Sequence, residues 1–276
     1  MNQKDYTNSH KYFQKLLPYL PTEAGFYLGE QYYYGLGVQA NTDKAIRYYT
    51  IAANEGEPVS QQKLGLYFFR NELDIRDESL AYHWNKTASN NPDAVDCDDA
   101  GECTYNLAIC YLKGIGTNKN KDLGEIWMSM SAILDFGKAQ DYIEQKYNIQ
   151  LDGETDEEEQ ANQKKLLNHF YHLILPKLQN DLSMEASIVK CLYHFQNLSF
   201  TSFLTEAQQL FTNSTISNEG KKNIGELLIA YYRTYKNDKF NAELIEEELA
   251  KLTKIDDLNY RYWILQQYII CLSKFL

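Results

Sequence analysis

The sequence predicts an all-α protein, namely an α/α solenoid of about three to four helix pairs followed by a C-terminal set of antiparallel helices. Two observations predict this fold. A pattern of small, aliphatic and aromatic residues recurs in the first half of the chain, where Leu28-Gly29 is followed 36 residues later by Leu64-Gly65. Beyond this part, apolar residues keep a helical spacing, and no stretch alternates as a strand would.

The first helix of each copy is predicted from residues that recur every four positions. Each copy has three such residues, of which the first is small, the second is aliphatic and the third is aromatic. In chain order they are Ala24, Leu28 and Tyr32, then Ser60, Leu64 and Phe68, then Cys103, Leu107 and Tyr111, and finally Ala139, Ile143 and Tyr147. This spacing places them on one helix face, so we expect them in the core. Gly29, Gly65 and Ala108 follow the aliphatic residue and let a neighbouring helix approach.

A glycine pair is predicted to end the first helix. The pairs are Gly35 with Gly37 in the first copy and Gly114 with Gly116 in the third. Glycine adopts the left-handed C-cap conformation without steric cost. A phosphate cradle is disfavoured, because its glycines would follow a strand and open a helix. In the second copy Asn71 and Leu73 stand in these places and predict a different loop.

A second helix is predicted to begin at an N-cap that recurs in register. The N-caps are Asn41, Asp77, Asn120 and Asp156. The helix that follows presents an aromatic residue between two small ones. These faces are Ala45, Tyr48 and Ala52, then Ala81, Trp84 and Ala88, then Gly124, Trp127 and Ser131.

Three domains are predicted. Residues 1–22 form an N-terminal cap. It contains a helix over residues 8–17, in which Tyr12 and Leu16 are in register with the repeats, and prolines end this helix. Residues 23–152 form the solenoid. Residues 153–276 form a C-terminal helical region that continues the solenoid or folds against it. A capping box, Thr155-x-x-Glu158, opens it with a helix that runs to about Leu178 and is disturbed at Pro176.

These repeats resemble the Sel-one-like repeat (SLR), a longer relative of the tetratricopeptide repeat. Residues 24–56, AGFYLGEQYYYGLGVQANTDKAIRYYTIAANEG, match it almost completely, and residues 60–89 and 103–132 match with substitutions. The resemblance implies a helical solenoid that supplies binding surfaces to other proteins. A few cysteine-rich members of the family are linked to β-lactam binding, but their regular cysteine pairs bridging helix ends are missing here.

The composition narrows the classes of partner. The formal net charge is −11 and is spread along the chain. This argues against nucleic acid or an anionic membrane as partner, because both need a basic surface, and it suits a basic protein partner. The chain has 23 tyrosines, a residue enriched at interfaces.

The cysteines and the chain start predict a cytoplasmic protein. The polar first residues contain no secretory signal, and the five cysteines favour reduced thiols. A bridge between Cys97 and Cys103 is the alternative.

No nucleotide or cofactor fingerprint is present, so no cofactor is expected. The spacings His169-x-x-His172 and Asp96-x-Asp98-x-x-Gly101 are too incomplete to predict a metal site.

The candidate binding surface is the face of the first helices that lines the concave groove in related solenoids. It lies two, six, nine and ten residues after each repeat start. Its residues are Phe26, Glu30, Tyr33, Tyr34, Gln62, Leu66, Phe69, Arg70, Tyr105, Ile109, Leu112 and Lys113. Asp96, Asp98 and Asp99, in the acidic loop 92–102, add a handle for a basic partner. The alternative is that the C-terminal helices fold back and cover this face.

Three functions follow from these features. The first is a non-catalytic adaptor or scaffold that binds a partner protein through the concave face and the acidic loop. The second is a dedicated inhibitor, such as a bacterial immunity protein that blocks a toxin. The third, an enzyme related to the cysteine-rich SLR proteins, has the least support.

Overall fold

The computed structural model describes residues 3–70, 77–94, 96–151 and 155–178, together with 189, 190 and 193. These residues form α-helices, one short 3-10 helix at Pro92–Ala94 and no strand. The α-helices are α1 Gln3–Leu16, α2 Pro21–Tyr34, α3 Thr42–Asn54, α4 Pro58–Arg70, α5 Glu78–Asn90, α6 Ala100–Lys113, α7 Lys121–Ile133, α8 Gly137–Tyr147 and α9 Asp156–Leu178. Of the helices described, none is long and apolar enough to cross a membrane.

The chain divides into two compact units, residues 1–170 and 171–276. In the first unit, α2 packs on α3, α4 on α5 and α6 on α7, and each pair packs on the next. This confirms the predicted all-α solenoid of helix pairs. The limits 1–22, 23–152 and 153–276 stay a prediction. The C-terminal set of antiparallel helices, expected after Leu178, lies outside the described residues.

The predicted core positions of the first helices are confirmed. Eleven of the twelve are buried, and Tyr147 is half-buried. The glycine after the aliphatic residue has a specific neighbour, because a Cβ added at Gly29 would lie 2.6 Å from the ring of Tyr49. At the same place in the second repeat, the side-chain amide of Asn85 donates to the carbonyl oxygen of Gly65 at 3.0 Å. The small residues therefore let the second helix of each pair approach closely.

The second helix of the first repeat buries a different tyrosine from the one in the repeated pattern. Ala45, Ala52 and Trp84 are buried as expected, but Tyr48 is half-buried and stacks on Tyr32 with 5.5 Å between ring centroids. Its neighbour Tyr49 is completely buried instead. In the first repeat the buried aromatic residue is thus Tyr49 rather than Tyr48, because the absence of a side chain at Gly29 leaves room for the Tyr49 ring.

The predicted helix ends are mostly confirmed. Gly35 and Gly114 have φ of 70° and 79° and cap α2 and α6. The side chains of the N-caps accept backbone N–H groups three residues on, at 2.9 to 3.1 Å; these N-caps are Asn41, Asp77 and Asn120. The fourth N-cap, Asp156, is wrong, because Thr155 opens α9. The carboxylate of Glu158 accepts the Thr155 N–H at 3.2 Å, which confirms the capping box. Asn71 and Leu73 lie outside the described residues.

The N-terminal helix is longer than predicted and packs through other residues. It begins at Gln3 rather than at residue 8, and Tyr12, expected to pack, is 60% exposed. His10 is buried instead, and its Nδ1 lies 2.8 Å from the Gln31 side-chain oxygen. The polar pair could not be found from apolar spacing, since neither residue is apolar.

Candidate protein-binding surface

The surface begins with five residues of α2, which we call the α2 stripe: Phe26, Tyr27, Glu30, Tyr33 and Tyr34. Their spacing of one, four, seven and eight residues puts them on one helix face, opposite the buried face. Tyr27 is 47% and Tyr34 57% exposed, and the other three are half-buried. The stripe therefore exposes the rings of Tyr27 and Tyr34, while Phe26 and Tyr33 pack against the core and Glu30 is partly covered.

The rings of the stripe pack in a defined way on their neighbours. Tyr27 stacks on Phe13 of α1, with 4.8 Å between ring centroids and 18° between planes. Tyr33 meets Tyr34 edge to face at 4.7 Å and Tyr67 of α4 at 5.5 Å. The ring contacts thus continue from α1 through α2 to the buried Tyr67 of α4. The sequence interpretation missed Tyr27 and Tyr67, although the place of Tyr27 between Phe26 and Glu30 on the helix was a usable signal.

Glu30 is the charged centre of the stripe. Its Oε1 accepts a hydrogen bond from the hydroxyl of Tyr49 at 2.6 Å, and the Lys63 ammonium lies 3.6 Å from the same oxygen. Burial, followed by the hydrogen bond to Glu30, raises the pKa of Tyr49 well above its usual value. Burial, followed by the hydrogen bond with Tyr33, does the same to the pKa of Tyr67. Both phenols therefore stay neutral, and Tyr49 serves as the hydrogen-bond donor to the Glu30 carboxylate.

Two residues of α4 that were expected on this surface are in the core. Gln62 is 1% and Leu66 7% exposed. The side-chain amide of Gln62 donates to the carbonyl oxygen of Ala94 at 3.0 Å, and Leu66 packs with Ala88 and Cys103. The prediction failed here because the insertion between the second and third repeats covers Gln62, and residues of α5 and α6 cover Leu66.

The other two predicted residues of α4 remain near or at the surface. Phe69 is half-buried and packs against the core cluster around Trp84. Arg70 is exposed, and its Nε donates to Glu102 Oε1 at 3.1 Å while its Nη2 bonds to Oε2. This two-point pair fixes the Arg70 side chain against α6.

The α6 residues form the third part of the predicted face. Tyr105, Ile109 and Leu112 are half-buried, and Lys113 is exposed. The Tyr105 ring lies 5.2 Å from that of Phe136. A Cβ added at Gly124 would lie 2.6 Å from Leu112, so Leu112 also serves the contact between α6 and α7. This part is less aromatic than the α2 stripe.

The acidic loop is only partly exposed. Asp96 and Asp98 are exposed, and Asp99 is half-buried at the start of α6. Burial raises the pKa of Asp99, and the nearby Lys63 and Arg70 act against this shift. Ala100 and Gly101 already belong to α6, so the calcium-loop spacing is interrupted by a helix. Within the described ranges, no three His, Cys, Asp or Glu residues are grouped to hold a metal ion.

The described cysteines are thiols. Cys97, Cys103 and Cys110 are all free, so the alternative of a Cys97–Cys103 bridge is wrong for this structure. The Cys103 thiol is buried and donates weakly to the carbonyl oxygen of Gln62 at 3.6 Å.

The chain is similar to several known proteins. The Sel1 repeat model matches residues 22–57, 58–93 and 101–136. Protein SHC1 of Saccharomyces cerevisiae, from strains YJM789 and S288c, is 30% identical over 84 residues, which is 29% of this chain. The matched part spans only 16% of the length of SHC1.

Two solved structures are also similar. A Sel1 repeat protein from Oxalobacter formigenes is 27% identical with a TM-score of 0.41, and the match covers 49% of this chain and 96% of the other. A protective antigen present in uropathogenic Escherichia coli strains, described as displaying an SLR fold, is 15% identical with a TM-score of 0.45. That match covers 96% of this chain and 56% of the other.

The three family matches coincide with the helix pairs of the structure. They cover α2 with α3, α4 with α5, and α6 with α7. They also contain the buried small and aromatic residues, the left-handed glycines and the N-caps described above. Over these three helix pairs, the chain is similar to the Sel1 repeat.

Proposed function

We propose that the chain is a non-catalytic adaptor or scaffold that binds a partner protein through the exposed part of the first-helix face. The observation that carries this proposal is the α2 stripe, in which Tyr27 and Tyr34 expose large rings beside a carboxylate. Tyrosine is enriched at binding hot spots, because it buries a large area and keeps a polar hydroxyl. Sel1 repeats typically act in protein–protein interaction, which supports the same conclusion.

The docking surface of this proposal extends from α2 towards the acidic loop. It comprises the α2 stripe, Phe69, Arg70, and the exposed carboxylates Asp96 and Asp98. The net charge of −11 favours a basic partner, because complementary charge speeds encounter and fixes orientation. A cytoplasmic location belongs to the proposal and is supported by the free thiols at Cys97, Cys103 and Cys110.

A second candidate is an inhibitor that neutralises one basic protein, such as a toxin. The net charge and the exposed acidic loop favour it. The two candidates differ in partner number and salt response. An inhibitor keeps one partner at moderate salt through a desolvated interface, whereas an adaptor that uses rim charges loses several weak partners as salt screens them.

Site-specific photo-crosslinking in the native host tests the proposal. A photoreactive phenylalanine analogue replaces Tyr34 in the full chain, and a matched variant carries it at Arg47, an exposed residue of α3. We expect a defined crosslinked protein at position 34 and none at position 47. The crosslink should weaken when Tyr27 is changed to Ser on the same stripe. Equal crosslinking at both positions, or none at 34, would contradict the proposed surface.

A further inference from the structure

The α2 stripe combines aromatic faces with a carboxylate in a way that suits a cation. Glu30 lies four residues after Phe26 and four before Tyr34, so it is a direct neighbour of both along the helix face. Tyr27 and Tyr33 flank it at three residues on either side. Aromatic rings attract cations through their negative faces, and a carboxylate beside them adds a charged hydrogen bond.

One oxygen of the Glu30 carboxylate has partners, and the other can accept a further hydrogen bond. Tyr49 and Lys63 both approach Oε1. Among the described residues, none donates a hydrogen bond to Oε2. An ionised carboxylate accepts through both oxygens, so Glu30 can take a further donor without losing the Tyr49 bond.

We propose that the α2 stripe receives an arginine side chain of the partner protein, stacked on Tyr34 and hydrogen-bonded to Glu30. This inference rests on the proposed function and names the residue that the surface recognises. Arginine fits better than lysine, because its flat guanidinium stacks on a ring while its N–H groups reach a carboxylate in the same plane. The overall charge of −11 complements such a partner.

Lys63 already places a positive charge beside Glu30. Its ammonium lies 3.6 Å from Glu30 Oε1, beyond a normal hydrogen-bond distance, and its side chain is 19% exposed. Lys63 also acts electrostatically on Asp99. A partner arginine at Oε2 therefore shares the carboxylate with Lys63, whose positive charge weakens the attraction between the arginine and Glu30.

A fluorine label at the site tests the proposal in the full chain. 3-Fluorotyrosine is incorporated at position 34, and in a control protein at Tyr19, which is 80% exposed and outside the stripe. The probes are two synthetic peptides, acetyl-Gly-Arg-Gly-Arg-Gly-amide and the same peptide with citrulline for arginine. Citrulline keeps the shape of arginine and removes its charge.

We expect the arginine peptide to shift the fluorine signal at position 34 saturably, and to leave position 19 unchanged. The citrulline peptide should bind at least about tenfold more weakly, and Glu30→Gln should weaken arginine binding by about tenfold. Lys63→Met should tighten arginine binding several-fold, because it removes a nearby positive charge that repels the arginine. A circular dichroism melt of each variant verifies folding.

Equal response to both peptides, or unchanged binding in Glu30→Gln, would overturn the arginine assignment. A third peptide, with lysine in place of arginine, tests the choice of side chain, and tighter binding of this peptide than of the arginine peptide would overturn the assignment as well. This result is separable from the proposed function. A crosslink at position 34 with no response to the arginine peptide would leave the protein-binding role standing and remove only the arginine.

Discussion

Gly116 lies directly against the backbone of Glu78, at the start of α5. A Cβ added at Gly116 would overlap the Glu78 carbonyl oxygen, and the φ of Gly116 is 63°. The equivalent glycine of the first repeat, Gly37, has the same relation to α1, where a Cβ would lie 2.5 Å from the backbone nitrogen of Thr7. These contacts place α1 in the position of the second helix of a preceding repeat.

Gly116→Ala should therefore lower the free energy of unfolding by about 3 kcal/mol, from the steric overlap and the left-handed backbone together. Urea unfolding followed by circular dichroism measures it. Gly137→Ala is the matched control, because a Cβ there meets no atom within 4 Å. If both variants unfold at the same urea concentration, the close approach of Gly116 to α5 is wrong.

Trp84→Ala should lower the free energy of unfolding by about 3–5 kcal/mol, as expected for a buried large aromatic residue. Trp84 is 5% exposed and belongs to the core cluster that joins the first two repeats. Tyr19→Ala, which truncates a ring that is 80% exposed, should change stability by less than about 0.5 kcal/mol. A loss below about 1 kcal/mol for Trp84→Ala would mean that the repeat register is wrong.

Glu125 should make stability depend on acidic pH. Burial raises the pKa of Glu125, but hydrogen bonds from Lys146, Tyr147 and Tyr142 together lower it by more. The pKa of Glu125 therefore lies below the ordinary value of 4.5. A carboxyl group with a lowered pKa stabilises the fold above its unfolded pKa, and this contribution disappears as pH falls through the folded pKa. The free energy of unfolding should thus decrease on acidification below about pH 4.5.

Urea titrations between pH 3 and 6 test this dependence. Glu125→Gln should reduce the slope of stability against pH in this range and should lower stability near neutrality. Asp141→Asn, which removes an exposed carboxylate of α8, serves as the control and should keep the slope. An unchanged slope in Glu125→Gln would assign the acid response to other groups.

Native thiol labelling should separate Cys97 from Cys103. Burial, then the carboxylates of Asp96 and Glu57, raises the pKa of Cys97 to about 11, so its thiolate is scarce at pH 8. Burial also raises the pKa of Cys103 well above its ordinary value, and the side chain of Cys103 is buried. Iodoacetamide followed by peptide mass spectrometry should label Cys97 slowly and Cys103 only after unfolding in urea. Fast labelling of Cys103 in the folded protein would show that α4 and α6 separate readily.

The candidate surface could be predicted only in part. The α2 stripe was found because helical spacing alone puts Phe26, Glu30, Tyr33 and Tyr34 on one face. The same spacing placed Gln62 and Leu66 on that face, but the insertion covers Gln62, and α5 and α6 cover Leu66. Spacing within a helix carries no information about a segment thirty residues away, so the burial of these two residues was missed.

The sequence by itself determined the helix pairs, their register and their ends, because each depends on neighbours within one or two turns. A glycine at 35 or 114 ends a helix, and Asn41, Asp77 or Asn120 begins one, whatever packs around them. Tertiary structure alone decided which aromatic residue fills the space at Gly29 and which first-helix residues stay exposed. It also brought Lys63 to Glu30. These outcomes depend on close packing between residues far apart in the chain, where a single ring or a covering loop changes what is buried.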